Sequence, residues 1–468
     1  MTTMTETRSP VTAVQEADRR AHLHPFTSAA EHAEAVPKLI VEGDGIYVRD
    51  DTGRQYLDAM SGLWCVNVGY GREEIADAVS EQARRLPYYH TFASMANAPA
   101  ARLADRLVAL APGRMSKVFF GSSGSETNDT QVKIVRYYHN VRGRPEKKKI
   151  IARQGGYHGS TLAGASMSGL AHMHRSFDLP LDGFLHVDSP HFWRYAPEGV
   201  TEREYSQALA RNLEERILSE GPETIGAFIA EPVQGAAGVI PPPEGYFEAI
   251  VPVLRKHDIL FIVDEVICGF GRLGEWWGSH FYGLEPDLMS VAKGLTSGYV
   301  PMSASLISDR VWEVLREGSS RYGPFAHGYT YSGHPVAAAA ALANLDIIEG
   351  EGLVGNAAHV GAYLQERLRA AFADHPLVGE VRCVGLIAGI ELVEDRETKK
   401  AFDPALAVAR RLHELLMREG LICRPVFNTL AFSPPLVVSK NDVDAIVEMF
   451  SRGLNELAGE LGRDAHGH

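Results

Sequence analysis

The sequence predicts an α/β protein built on a mostly parallel sheet with helices on both faces. Between about residues 115 and 335, short apolar runs alternate with helical patterns, which is typical of such a sheet. Residues Ile259 to Val263 are continuously apolar, as expected for a strand buried on both sides, and the run stops at Asp264. A second apolar run ends near Lys293. Open α/β sheets bind ligands at the carboxyl ends of their strands, so this acid and this lysine indicate a candidate site.

Length and composition narrow the class of protein. With 468 residues, 45% of them hydrophobic, the chain is long enough for two domains. A net charge of -13 offers no broad attraction for polyanions, so we expect no nucleic-acid partner. The first residues lack the apolar core of a signal peptide, and no run of eighteen apolar residues occurs. We therefore expect neither a signal peptide nor a membrane span.

The four cysteines are far apart in the sequence and form no C-x-x-C pair. They are Cys65, Cys268, Cys383 and Cys423. In a chain of this length they are most simply reduced, partly buried residues of a cytoplasmic protein. We predict no metal site.

The N-terminal third begins with a polar segment in which residues 13–22 are a candidate helix. A hairpin signal follows over residues 45–58, because an Asp51-Thr-Gly turn separates two short apolar segments. Leu103 to Leu110 belongs to an amphipathic helix that Pro112 and Gly113 end.

The centre of the chain supplies the strands of the predicted sheet. Lys117–Phe120, Ile150–Arg153 and Ile225–Ala230 are apolar enough for buried strands. Ser125–Asn140 is the helix that follows the first of them.

The C-terminal part has a different pattern and predicts a smaller α+β unit. After an alanine-rich helix over Pro335–Ile348, residues 381–393 read as a strand. A helix with Val408 on its apolar face is stopped by Gly420, and Ser439 is a candidate N-cap for the last helix.

A glycine- and serine-rich turn, F-F-G-S-S-G-S-E-T-N at residues 119–128, lies between a strand and a helix. Backbone N–H groups and a helix N-terminus both favour a phosphate, Gly124 permits close approach, and Ser125 adds a hydroxyl. A plain turn is the equal alternative. The segment has neither the P-loop ending nor the dinucleotide fingerprint, so a phosphate-bearing cofactor other than a nucleotide fits better.

Three further residues lie at strand ends in the central region. Tyr157 and His158 stand in a glycine-rich loop, where a packed aromatic and a satisfied histidine are the ordinary interpretation. A flat ligand would instead use Tyr157 as a stacking face. Glu231 ends another strand, either as a structural hydrogen-bond partner or as part of the same site.

Lys293 decides between these interpretations. A lysine with a lowered pKa can form a Schiff base with a carbonyl group, and Asp264 would suit a protonated pyridine nitrogen. A phosphate turn, a stacking aromatic, an acid and such a lysine together specify pyridoxal phosphate.

Six motifs make a resemblance explicit: F-F-G-S-S-G-S-E-T-N-D-T, G-Y-H-G-S-T, E-P-V-Q-G, D-E-V-I-C-G-F-G-R, A-K-G-L and H-G-Y-T-Y-S-G-H-P. From about Leu39 to Leu454 the chain resembles the class III pyridoxal-phosphate-dependent aminotransferases of fold type I, and among them the ω-transaminases, or amine:pyruvate transaminases. The resemblance implies a seven-stranded sheet in a large domain, residues 71–335. It also implies a small domain formed by residues 336–468 together with an N-terminal segment, residues 1–70.

The resemblance also implies roles for individual residues. Lys293 would hold the cofactor and carry the proton between the substrate and the cofactor, and Asp264 would pair with the ring nitrogen. The other implied cofactor contacts are Glu231 and His158 beside that acid, Tyr157 and Val266 on the two ring faces, Gly124 and Ser125 at the phosphate, and Thr330 at the phosphate of a partner subunit. The active site would then need a homodimer, and a tetramer is an open possibility.

Substrate contacts follow from the same resemblance. Arg424 matches an arginine that pairs with the carboxylate of a keto acid, although a solvated surface charge is the ordinary interpretation. Trp64 and Phe92 resemble the wall of an amine pocket, along with Tyr157, with structural core as the alternative.

The expected reaction is transfer of an amino group from a primary amine to an α-keto acid, with pyruvate preferred. It would follow ping-pong kinetics through pyridoxamine phosphate. An aminomutase, epimerase or decarboxylase on the same scaffold is the alternative, because fold does not determine reaction type. A non-enzymatic binding protein would lack the lysine or the aspartate, and a nucleotide-binding oxidoreductase would carry the missing fingerprint.

Overall fold

The computed structural model describes residues 11–463. Within that range the strands are β1 (Ile40–Asp44), β2 (Tyr47–Asp50), β3 (Gln55–Asp58), β4 (Met115–Gly121), β5 (Lys149–Arg153), β6 (Phe184–Val187), β7 (Ile225–Ala230), β8 (Leu260–Asp264), β9 (Leu288–Val291), β10 (Ser303–Ser308), β11 (Val378–Val384), β12 (Ile387–Leu392), β13 (Leu421–Ile422), β14 (Arg424–Val426) and β15 (Thr429–Phe432).

The helices of the same range connect and cover these strands. They are α1 (Ala13–Ala21), α2 (Ala29–Glu34), α3 (Ser61–Trp64), α4 (Glu73–Arg85), α5 (Ala98–Leu110), α6 (Gly124–Val141), α7 (Leu162–Met167), α8 (Ala171–His174), α9 (Phe192–Tyr195), α10 (Glu202–Glu220), α11 (Tyr246–Lys256), α12 (Gly278–Phe281), α13 (Asp309–Tyr322), α14 (Pro335–Gly350), α15 (Leu353–Phe372), α16 (Val408–Glu419) and α17 (Lys440–Glu460). Short 3-10 turns lie at Pro222–Thr224, Lys293–Leu295 and Pro404–Leu406.

The largest sheet has seven strands in the order β4-β10-β9-β8-β7-β5-β6. Only β10 runs antiparallel to its neighbours, β4 and β9. The other pairs, from β9 across to β6, are parallel. The predicted mostly parallel sheet is therefore confirmed.

Strand β8 shows why its sequence is continuously apolar. Phe261 and Val263 pack with α10 and α11 on one face of the sheet, whereas Ile262 packs with α6 on the other. All five residues of β8 are buried. Because both faces are covered, no position of the strand can be polar until it ends at Asp264.

Two four-stranded sheets complete the fold. One joins the N-terminal hairpin to the C-terminal part, in the order β1-β2-β3-β13. The other has the order β11-β12-β15-β14. The predicted hairpin is present as β2 and β3, while the boundaries at residues 70 and 335 stay predictions. Residues 1–10 and 464–468, which those boundaries assign to the small domain, lie outside the described residues.

One C-terminal prediction needs correction. The segment read as a single strand over residues 381–393 lies in two antiparallel strands, β11 and β12, which Gly385 separates. Gly385 has a φ of +54°, and a Cβ there would lie 2.5 Å from the Cα of Leu273. Only glycine fits this turn, so the chain reverses in the middle of an apolar run.

The predicted helix boundaries agree with the structure at both ends of the C-terminal part. Gly420 adopts a left-handed conformation directly after α16, and Ser439 caps α17 by accepting a hydrogen bond from the N–H of Asp442. In the described part of the chain, none of the helices combines the length and the hydropathy needed to cross a lipid bilayer. The four cysteines are free.

Candidate active site

The candidate site lies at one edge of the seven-stranded sheet. Asp264 is the last residue of β8, Glu231 directly follows β7, and Lys293 is the second residue after β9. Parallel strands place their carboxyl ends at the same edge, and this common direction brings the three side chains to one cavity. We call it the inner cavity; its lining residues are Gly124, Ser125, Asn128, Tyr157, His158, Gly159, Glu231, Asp264, Val266, Ile267, Ala292 and Lys293.

The carboxylate of Asp264 is held in a defined direction. His158 Nδ1 and Asn128 Nδ2 lie 2.9 and 2.8 Å from Oδ2, and the N–H of Val266 donates to Oδ1 at 3.1 Å. Asp264 and His158 are both buried. A buried, hydrogen-bonded acid of this kind can pair with a cationic ring nitrogen.

Lys293 lines the same cavity in an unusual backbone conformation. Its φ of +45° lies in the left-handed region, which non-glycine residues rarely adopt and which costs about 1–3 kcal/mol. Burial lowers the pKa of its ammonium, and the neighbouring Asp264 acts in the opposite direction. A desolvated lysine has a larger neutral fraction, and the neutral amine is the form that attacks a carbonyl.

Glu231 lies beside the loop that carries Tyr157. Its Oε1 accepts the N–H of Tyr157 at 3.1 Å, and its Oε2 accepts the N–H of Gly235 at 3.0 Å. Burial raises the pKa of Glu231, chiefly because the charged form loses its hydration. Glu231 therefore positions the Tyr157 loop.

The phosphate turn opens helix α6. Ser123 caps the helix and accepts the N–H of Glu126, which leaves the first N–H groups, at Gly124 and Ser125, without an intrahelical partner. A Cβ at Gly124 would lie 3.3 Å from Cγ2 of Val266. The turn therefore packs closely against Val266 and offers free donors at a positive helix end, which suits a phosphate.

A second cavity of about 520 Å³ adjoins the first, and we call it the outer cavity. Tyr157, Ile267 and Lys293 line both cavities. The remaining wall is mostly apolar and consists of Phe26, Leu63, Trp64, Leu170, His172, Met173, Ala236, Arg424, Pro425, Val426 and Phe427. Lys293 therefore stands at the junction of the two spaces.

Arg424 contributes a guanidinium group to the lining of the outer cavity. It opens β14 and forms no ion pair with any residue in the range 11–463. Burial lowers its pKa, and Tyr157 acts in the opposite direction. An unpaired, partly desolvated guanidinium is a strong site for a ligand carboxylate.

Trp64 lies in the wall of the outer cavity and is 3% exposed. It follows Gly62, whose φ of +65° kinks the short α3 segment and aims the indole inward. Trp64 can therefore be both a wall of the amine pocket and a part of the hydrophobic core, because a cavity wall can also belong to the core.

Phe92 and Thr330 lie elsewhere. Neither lines the inner or the outer cavity, and Phe92 is 47% exposed. The Tyr88 hydroxyl donates to the Thr330 carbonyl at 2.8 Å, and a Cβ at Gly328 would contact the Phe92 ring. The two residues thus belong to neighbouring segments, and both are exposed.

The sequence did not single out Asn128, Phe26 or Phe427. Asn128 could have been predicted as a site residue, because it lies four residues after Gly124. It is therefore one helical turn further along the same face of the helix. Phe26 and Phe427 come from opposite ends of the chain, and no local pattern relates them.

The residues of the inner cavity fit pyridoxal phosphate. Its phosphate would match the free N–H groups at the start of α6, and its ring would contact Tyr157 and Val266, which both line the cavity. Its ring nitrogen suits Asp264, and its aldehyde suits Lys293.

Comparisons with known proteins agree with this geometry. The sequence model of class-III aminotransferases matches residues 28–454. A diaminobutyrate–2-oxoglutarate transaminase of Halomonas elongata is 50% identical over 453 residues, which cover 96% of this chain and 97% of that one. A putrescine–pyruvate aminotransferase of Pseudomonas aeruginosa is 46% identical over 446 residues, with coverage of 95% and 96%.

A solved structure is similar to this chain over almost the whole length of the chain. The omega transaminase from Pseudomonas jessenii, in complex with PMP, is 48% identical and has a TM-score of 0.95. The match covers 97% of this chain and 100% of that one.

Proposed function

The chain belongs to the class III aminotransferases, which use pyridoxal phosphate, and on that premise we propose that it moves the amino group of a primary amine to pyruvate. One observation carries the proposal: Lys293 stands between an inner cavity suited to the cofactor and an outer cavity suited to a substrate. When bound, the cofactor supplies an aldehyde that takes up the amino group and a ring that withdraws electrons from the substrate carbon.

Individual residues of the chain then have separate roles in the reaction. In the first half of the cycle Lys293 Nζ would move the proton from the amine-bearing carbon to the aldehyde carbon of the cofactor. In the second half it would move a proton from that carbon to the keto-acid carbon. Asp264 keeps the ring nitrogen protonated, and His158 and Asn128 position that carboxylate. Tyr157 and Val266, which both line the inner cavity, would hold the two faces of the ring.

The lining of the outer cavity favours some amine donors and some keto-acid acceptors over others. In the described chain its wall contains no aspartate or glutamate, so the distal ammonium of a diamine finds no counter-charge. An amine with an apolar substituent fits this wall, and so does an ω-amino acid whose carboxylate pairs with Arg424. A single guanidinium also suits pyruvate, which has one carboxylate, better than a dicarboxylic keto acid.

We also propose a homodimer whose two sites share residues. Thr330 and Phe92 are exposed and line neither the inner nor the outer cavity, so they are available to a second copy. In such a dimer Thr330 would bind the phosphate of the partner's cofactor. The four free cysteines support a reducing, cytoplasmic location.

The test is a pair of half-reactions on the loaded enzyme. A panel of amines without an acceptor should give one carbonyl product per active site, and pyruvate should then restore the cofactor absorbance. A variant with Lys293 replaced by Ala should lose both the lysine-bound absorbance and the turnover. Continuous turnover of an amine without any keto acid would instead support an aminomutase, epimerase or decarboxylase.

A further inference from the structure

A cluster of histidines surrounds Asp18 in the N-terminal segment, outside both cavities. Asp18 lies in the last turn of α1, and His22 and His24 follow that helix. Asp18 Oδ1 is 3.0 Å from His22 Nδ1, and Asp18 Oδ2 is 2.9 Å from His24 Nε2. The three ligand-type atoms lie within 4.8 Å of one another. Two imidazoles and one carboxylate therefore converge on one point.

His32 reaches the same carboxylate from helix α2. Its Nε2 lies 3.3 Å from Asp18 Oδ2, and its side chain is 12% exposed. That nitrogen is buried and forms no hydrogen bond within the part of the chain that the structure describes. A buried nitrogen that forms no hydrogen bond costs about 1–3 kcal/mol. A cation between this nitrogen and the carboxylate would satisfy both.

We propose that Asp18, His22 and His24, with His32 as the fourth ligand, bind a divalent transition-metal ion such as Zn²⁺. Three imidazoles and one carboxylate are a ligand set that Zn²⁺ accepts in tetrahedral geometry, whereas Mg²⁺ and Ca²⁺ prefer oxygen ligands. At zinc–ligand distances of about 2.0–2.1 Å, tetrahedral ligand atoms lie roughly 3.3 Å apart. The three imidazole nitrogens lie 2.9 to 3.3 Å from the Asp18 carboxylate. Asp18, His22 and His24 already form a group within 4.8 Å, and His32 must move toward the other two imidazoles to join it.

An ion has access to this point. A cavity of about 260 Å³ is lined by all three histidines, and the side chain of His22 is 62% exposed. With neutral imidazoles the ligand set carries a formal charge of −1. Arg19 and Arg20 also line this cavity, and the Arg19 guanidinium donates to the Ala33 carbonyl at 3.0 Å. A second histidine–carboxylate group, His191 with Glu380 and Glu391, does not compete. Arg382 Nη1 already lies 2.5 and 2.6 Å from its two carboxylates.

The proposed site is connected to the outer cavity through the backbone. His24 is followed by Pro25 and Phe26, and Phe26 lines the outer cavity. The Phe26 ring lies 6.5 Å from that of His172, another residue of the same wall. An ion that joins α1 to α2 would hold both ends of the loop that carries Phe26. Metal binding should therefore order one wall of the substrate space.

The first experiment measures metal content directly. The untagged, metal-free holoenzyme is dialysed against Zn²⁺ alone, and bound zinc is counted per chain; Co²⁺ in its place reports tetrahedral ligation by its visible absorption. We expect one ion per chain. The doubly substituted His22→Ala/His24→Ala variant should lose that ion, and Asp18→Asn, which keeps the shape of the side chain, should bind at least tenfold more weakly.

His359→Ala is the matched control. His359 is an exposed histidine whose Nδ1 lies 2.8 Å from the carbonyl of Gly355 in its own helix, so its loss should not change the metal content. Circular dichroism and cofactor content verify that each variant is folded. No bound zinc in the wild type, or equal zinc in the wild type and the double variant, would overturn the proposal and leave a purely hydrogen-bonded cluster.

The second experiment tests the connection to the substrate space. Hydrogen exchange over residues 22–28 should slow on addition of Zn²⁺ in the wild type and in His359→Ala, and stay unchanged in the double variant. Unchanged exchange in zinc-loaded wild type would overturn the link to Phe26. Both measurements are independent of transaminase activity, so they can fail or succeed separately from the proposed function.

Discussion

The imidazole of His158 directs the carboxylate of Asp264 into the inner cavity. His158 Nδ1 lies 2.9 Å from Asp264 Oδ2, and the exposed fractions of the two side chains are 0% and 4%. Asn128 donates to the same oxygen at 2.8 Å. With two donors on one oxygen, the carboxylate cannot turn without leaving a buried group unpaired. The acid proposed to serve the cofactor is thus fixed before any cofactor binds.

Replacing His158 by Phe should therefore weaken catalysis. The loss of a hydrogen bond to a buried carboxylate costs about 1–3 kcal/mol, which corresponds to a decrease in kcat of roughly 5- to 150-fold. His158→Gln is the control, because its amide can still donate to Asp264. Steady-state kinetics and the cofactor absorbance measure the effect. Equal losses in the Phe and Gln variants would assign His158 to packing alone.

Replacing Arg424 by Ala should separate the two substrates. Loss of a charge-assisted hydrogen bond costs about 1.5–3 kcal/mol, so the KM for pyruvate should rise roughly 10- to 100-fold. The KM for an amine without a carboxylate should change little, because such an amine makes no ion pair with the guanidinium. Arg424→Lys, which keeps the charge but not the planar fork, should fall between the two. A parallel rise for both substrates would remove the proposed role.

Replacing Trp64 by Ala should widen the outer cavity and admit bulkier amines. The indole packs among buried residues such as Val233 and Ile267, so its removal should also lower the free energy of unfolding by about 3–5 kcal/mol. Trp312→Ala is the control, because Trp312 lies on α13 and lines neither the inner nor the outer cavity. A panel of amines of increasing size, with thermal melts, gives both quantities. An unchanged size limit would place Trp64 in the core only.

His139 should make the fold sensitive to acid. It is 0% exposed on α6, its Nε2 lies 3.1 Å from the Gly226 carbonyl, and burial lowers its pKa from 6.5 to about 4. Because the folded pKa is below the unfolded one, the unfolded chain binds the proton first as pH falls. The stabilisation is complete above pH 6.5 and is lost between pH 6.5 and about 4, in total about 3 kcal/mol.

Denaturant unfolding across that pH range tests the point. His139→Gln, whose amide can still donate to the Gly226 carbonyl, should lose part of the acid sensitivity between pH 6.5 and 4. His359→Gln, at an exposed position, should keep the wild-type slope. Identical slopes in all three proteins would contradict the prediction.

The amino-acid sequence by itself determined the sheet, the cofactor and the central residues of the candidate site. Strands such as β8 are buried on both faces and are therefore continuously apolar, and the residue that enters the inner cavity lies at the strand end or within two residues of it. Asp264 and Lys293 can be found for that reason. Strand β10, S-A-S-L-I-S, was not predicted, because small serines fill its buried positions and interrupt the apolar run.

Only the tertiary structure decided what surrounds that centre. Phe26, Trp64 and Phe427 form one wall although some 400 residues separate the first from the last, and loops carry no periodicity that would relate them. It placed Thr330 and Phe92 at exposed positions outside the lining of both cavities, which residue type could not indicate. It also brought His32 of one helix to Asp18 of another. Strand ends are read from a local pattern, whereas contacts between distant segments depend on how the whole chain packs.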